Sequence, residues 1–178
     1  MTETATRPCT CGALADRLER ATFDVAPSAG GGWEAWRVAL GRLIGRLGAG
    51  PTHCVVVTQD PNQRYVQFLL GHGRVHAEVS SNNYLIGDFR LTPAEERHLR
   101  DLGFDIDPDD DHDERFPHNW VRIVDLRHPD DAAAVAAVMS HLVEVIALFD
   151  DRHPVRVDLF GADHPCEPCT WGDDTDGG

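Results

Sequence analysis

The sequence predicts an α+β fold, an antiparallel sheet of about four to five strands packed against helices. Three observations carry this. Val75, Ala77 and Val79 alternate with His76, Glu78 and Ser80, the period of two that marks a strand with one buried face. Gly71-His72-Gly73 joins that strand to the preceding run Arg64–Leu70, its glycines offering the positive φ of a tight hairpin. Trp33, Trp36, Leu40, Leu43, Ile44 and Leu47 fall on one stripe of a helix.

Taken in order, residues 1–29 read as a flexible N-terminal segment, with a short helix at Ala13–Ala21 and a glycine linker at Ser28–Gly32. Residues 30–162 form the α+β domain and 163–178 a polar tail. In the first domain helix, Gly41 and Gly45 lower helix propensity by about 1 kcal/mol each against alanine. The plainer reading is close approach to the sheet; the alternative is a small-x-x-x-small contact with another helix, a dimer partner's being one case. Gly48, Gly50 and Pro51 end this helix. Cys54-Val55-Val56-Val57 is a β-branched central strand, Asp60-Pro61-Asn62 a turn, and the hairpin completes a three-stranded meander. Thr92-Pro93-Ala94-Glu95 opens the second helix with an N-cap, a proline at the first position and a capping box. Gly103 stops it, with Phe104 closing on Leu99. Leu99 and Leu102 face inward; Glu95, Glu96, Arg97 and Arg100 face water. Asn119–Val124 is a further strand. Asp130 and Asp131 open a third helix whose stripe runs from Val135 to Phe149, and Val155, Val157 and Leu159 alternate as a last strand.

The chain of 178 residues suits one domain with its own core. Its formal net charge of -14 repels phosphate and anionic lipid, so neither nucleic acid nor membrane is an expected partner; a basic partner fits better. All 16 basic residues are arginine, which reads as codon bias of a GC-rich genome. Met1–Gly12 lacks the apolar core of a signal peptide, and Ala132–Phe149 is interrupted by His141 and Glu144 and too short to span a bilayer. A cytoplasmic protein is the expectation.

Tyr65-Val66-Gln67-Phe68, Glu78-Val79-Ser80-Ser81-Asn82 with Tyr84-Leu85, Leu91-Thr92, Leu99, Leu102-Gly103-Phe104, Asn119-Trp120 and the alanine-rich last helix together resemble the TY-Chap group. That superfamily unites type III secretion chaperones with YbjN-like bacterial proteins. The resemblance covers roughly Trp33 to Phe149. It implies a noncatalytic, chaperone-like module that binds client peptides or proteins in extended form, usually as a homodimer. Strand parity puts Tyr65, Gln67 and Leu69 on one face and Val66, Phe68 and Leu70 on the other, without saying which face the helices cover. Tyr84 and Trp120 are amphipathic aromatics of the kind enriched at interfaces. The candidate client contacts are therefore Tyr65, Gln67, Leu69, Tyr84 and Trp120, although for Trp120 and Phe68 a core role is the simpler reading.

Other constellations are weaker. Cys9 and Cys11 with Cys166 and Cys169 would form a structural zinc site if the termini meet, with His164 as a spare ligand. This supports the alternative of a small metal-stabilised regulatory domain; the plainer reading is two unrelated cysteine pairs, with no cofactor. Asp105, Asp107, Asp109, Asp111 and Asp113 alternate like calcium ligands, but Asp110 and Phe116 break the loop pattern, which leaves a solvated acidic loop. An unrecognised hydrolase is the second alternative. His72, His76, His112, His118 and His128 invite it, but no serine or cysteine sits in a nucleophile elbow. Gly30-Gly31-Gly32 lacks the lysine of a phosphate loop.

Overall fold

Alternating apolar residues build a sheet here because each strand has only one face to bury. A computed structural model describes residues 25–50, 52–106, 118–128 and 130–161. Its elements are α1 (Gly32–Gly48), β1 (His53–Thr58), β2 (Val66–Gly71), β3 (Arg74–Val79), α2 (Pro93–Asp101), β4 (Asp105–Ile106), β5 (Trp120–Asp125), α3 (Asp131–His141) and β6 (Arg156–Gly161). The six strands form one sheet in the order β4-β5-β3-β2-β1-β6, each neighbour antiparallel. The predicted meander β1-β2-β3 lies at its centre. The strand not foreseen is β4, two residues at the start of the expected acidic loop.

Register places the buried residues in rows. Leu159, Val55, Phe68 and Ala77 are successive cross-strand partners, as are Val157, Val57, Val66, Val79 and Trp120. These side chains are buried and join Trp36, Leu40, Ile44, Val135, Met139, Leu142 and Ile146 in one core. Helices α1 and α3 pack on each other over this face. A Cβ built on Gly41 would lie 3.5 Å from Ala136 Cβ, and one on Gly45 would lie 3.7 Å from Ala132 Cβ. The small-residue stripe of α1 therefore receives another helix, the second of the two readings, and that helix, α3, belongs to the same chain.

Several local expectations are met, and others shift. The Thr92 capping box is complete, and Phe104 N–H donates to Leu99 O at 3.0 Å while Gly103 N–H reaches Arg100 O at 2.9 Å, closing the Schellman motif. In the hairpin, positive φ falls on His72 (51°) and Gly73 (75°), the two central residues of the turn. Gly71 is needed for another reason: a Cβ there would stand 2.7 Å from Thr52 Cα. Ser28–Gly32 takes the form of a turn, with Gly32 N–H on Pro27 O and Ser28 N–H on Asp151 O. The third helix is regular only to His141; Leu142–Ile146 widens into a π turn, so the stripe to Phe149 is not one continuous α-helix.

Arg64, just ahead of β2, is buried at 4% exposure. Its guanidinium donates to Phe89 O (2.8 Å), Arg90 O (2.8 Å), Ile146 O (2.6 Å) and both carboxylate oxygens of Glu95 (2.6 and 3.3 Å). These five bonds match its five N–H groups. Glu95, expected to face water, instead serves its capping box and Arg64 together. Burial alone would raise the Glu95 carboxyl, but hydrogen bonds from Arg64 and Thr92 outweigh that and hold it below its ordinary value.

Removing one partner of this pair leaves the other short of compensation. Arg64→Met is therefore expected to cost about 3 kcal/mol or more in urea unfolding, against about 1 kcal/mol for Thr92→Ala. The sign with pH follows from the lowered Glu95 pKa. Its contribution is complete above the unfolded value, near 4.3, and is lost as pH falls through the lower folded value. The stability gap between wild type and Arg64→Met should thus narrow in acid; a gap under about 1 kcal/mol at neutral pH would contradict the assignment.

Candidate functional site

The other parity of the same strands forms the second face of the sheet, and it carries none of the core residues. Among the described residues no helix packs on it. Across β1, β2, β3 and β5, one row reads Cys54, Leu69, His76, Ile123 and the next reads Val56, Gln67, Glu78, Val121. Leu69 is 39% exposed and Ile123 62%, unusual values for large aliphatic side chains in the interior of a sheet. Tyr65 lies at the entrance to β2 and Tyr84 (47% exposed) in the turn after β3.

The polar side chains on this face are tied together. Glu78 Oε2 accepts from Gln67 Nε2 (2.5 Å) and from Asn119 Nδ2 (3.1 Å), and Glu78 Oε1 lies 3.3 Å from His76 Nε2. Asn119 Nδ2 also donates to the Tyr65 hydroxyl at 3.0 Å. The network is held from behind by the Ser80–Asn83 corner. Ser80 Oγ accepts Tyr65 N–H, Asn119 Oδ1 accepts Ser81 N–H, and the Asn82 amide clamps Leu91 N–H (2.6 Å) and Leu91 O (2.9 Å). Partial burial would raise the Glu78 carboxyl, but hydrogen bonds from His76, Asn119 and Gln67 prevail and hold it below its ordinary value. Burial first, then Glu78 and Tyr84, push the Tyr65 phenol up against the lowering bond from Asn119. Burial, helped by Glu78, likewise raises the Cys54 thiol, the opposite of an activated nucleophile.

Of the residues singled out from sequence, Tyr65, Gln67 and Leu69 share this face, and Tyr84 lies near enough to Tyr65 to affect its ionisation. Trp120 is apart from them. It is 2% exposed on the helix-covered face, with the Arg100 guanidinium 4.9 Å from its ring centroid. A client could not reach it in this arrangement. Cys9, Cys11, Cys166 and Cys169, the helix at Ala13–Ala21 and residues 107–117 of the acidic loop lie outside the described residues. Among the described residues no group of three or more metal-ligating side chains occurs, and no helix is long and apolar enough to cross a membrane.

Glu78, Asn119 and Ile123 were not singled out as contacts by the sequence reading. Parity alone places Glu78 with Gln67 once β2 and β3 are paired. Asn119 and Ile123 need the further step that β5 lies beside β3. Between α3 and the sheet there is also a slot of about 110 Å³, lined by Phe104, Val124, Val135, Val138 and Met139 with Arg122 and Asp131 at its side. It holds no nucleophile.

The family model TY-Chap3, described as T3SS (YopN, CesT) and YbjN peptide-binding chaperone 3, matches residues 26–165, well over half the chain. No curated protein and no solved structure matches.

The network can be checked through its phenol. The chain has two tyrosines, so Tyr84→Phe leaves Tyr65 alone to titrate. Its phenolate absorbance should appear above the ordinary midpoint of about 10 and move down when Glu78→Gln is added. A midpoint at or below the ordinary value, indifferent to Glu78, would show that the hydroxyl lies elsewhere.

Proposed function

The chain belongs to the TY-Chap3 family of peptide-binding chaperones, and from that membership we propose that it holds client polypeptides in extended form on the open face of its sheet. The observation that carries this is Leu69 and Ile123, large aliphatic side chains left exposed in one row with His76, with Tyr65 and its neighbour Tyr84 beyond the next row of Gln67 and Glu78, on strands whose opposite parity turns to the core. Large apolar side chains left exposed together on one face mark interaction sites. The hydrogen-bonded frame beneath it fixes the polar groups before a client arrives, which lowers the ordering cost of binding.

An extended segment turns every second side chain toward the sheet, and strands spaced about 4.8 Å apart offer repeated shallow sites for them. Binding, with no chemical step, is the reading these residues favour, since Cys54, the one cysteine among the described residues, has a raised thiol pKa. The resemblance to secretion chaperones further suggests a homodimer in the cytoplasm. Its interface would have to use a surface other than the glycine stripe of α1, which α3 occupies.

Peptides selected from a random displayed library against the wild-type chain test the reading. Leu69→Asp and Tyr84→Ala should each weaken the selected peptides about tenfold, the scale of a central interface contact. Val38→Asp, on the exposed side of α1, should leave affinity unchanged, and all three variants should melt as the wild type does. Equal affinity across the three variants would place the client elsewhere.

A further inference from the structure

Several carboxylates that the fold braces come with arginines. Glu95 holds Arg64, Asp125 holds Arg74 and Arg127, and Asp150 holds Arg152. Glu78 differs. Its side chain is only 18% exposed, yet its partners are two neutral amides and a histidine, and among the described residues no arginine pairs with it. A negative charge therefore stands near the middle of this face, held by hydrogen bonds, and its ion-pair partner among the described residues is His76, which carries charge only when protonated. Among the described residues Oε1 meets His76 only, so acceptor capacity remains.

We infer that the open face prefers client segments carrying an arginine or lysine, whose cation docks on the Glu78 carboxylate while aliphatic neighbours rest on Leu69 and Ile123. This rests on the reading of that face as the client site. Register strengthens it. Glu78, Val121 and Asp105 are successive partners across β3, β5 and β4, so a second carboxylate stands in the same row about 10 Å away, two strand spacings. Leu69 and Ile123 flank His76, one pleat along β3, which is the spacing of alternate side chains in an extended peptide. A cation arriving at Glu78 gains charge-assisted hydrogen bonds in partly desolvated surroundings, and the two tyrosines nearby suit a guanidinium. The network that keeps the carboxylate ionised is in place without the client. The chain's net charge of -14 adds long-range attraction, but that field is shared by the whole surface; Glu78 would make it local.

The experiment selects displayed random peptides on the wild-type chain and, in parallel, on Glu78→Gln, which keeps size and hydrogen bonding. Each arginine of the best wild-type binders is then replaced by citrulline, its neutral counterpart. The expected result is basic enrichment on the wild type that falls on Glu78→Gln. It also includes one arginine whose replacement weakens wild-type binding about tenfold and Glu78→Gln binding less than about twofold. Equal basic enrichment on both proteins, or indifference to citrulline, overturns the inference while leaving the client face intact. Binders that ignore Leu69→Asp, or a failure to select any, overturn the client face itself. Should Glu78→Gln not fold, the citrulline comparison on the wild type alone still decides between a docked cation and none.

Discussion

A buried guanidinium organises this molecule. Arg64 can sit in the core only because every N–H finds an acceptor, and those acceptors come from three places: the segment before α2, the first turn of α2 and the π turn after α3. An unsatisfied charge there would be prohibitive, so the three segments are held wherever Arg64 needs them. Gln59 and Asn62 repeat the device on a smaller scale. The Gln59 amide binds Asp150 N–H, Asp150 O and His153 O, and Asn62 reaches Ala147 O at 2.5 Å. The loops around the helix layer are thus anchored by side chains from the β1–β2 connection.

The consequence for function is geometric. Arg64 turns into the core, and the next residue, Tyr65, contributes its hydroxyl to the outward network. From there β2 alternates strictly, with Val66, Phe68 and Leu70 under the helices and Gln67 and Leu69 on the open face. One parity fills the core and the other stands open. The Ser80–Asn83 corner couples the two, because Asn82 grips the entry to α2 while its neighbours fix Asn119, and through it Glu78 and Tyr65.

What could be read in the sequence was local. The capping box at Thr92, the Schellman closure at Phe104 and the alternation in β3 involve residues one to five apart, where spacing alone specifies geometry. The α+β class and the family resemblance followed from such signals in order. The rest required knowing which segments meet. Arg64 reads as a polar residue before a strand until its partners, 25, 26, 31 and 82 positions away, are known. Glu78 and Asn119 are 41 positions apart and become one network only when β5 is placed beside β3. The glycines of α1 signalled close packing, but nothing local named α3 as the neighbour. Trp120 had both an interface and a core reading from its chemistry; its register with Val79 places it in the core.

The central claim is that clients lie on the sheet face opposite the helices. Methyl nuclear magnetic resonance on the intact chain, with a selected peptide added stepwise, tests this most directly. The account predicts shifts at Leu69, Val121 and Ile123, with Val38, Val145 and Leu148 on the helix side unmoved. Shifts confined to the helix-side methyls, with the three sheet methyls silent, would contradict it.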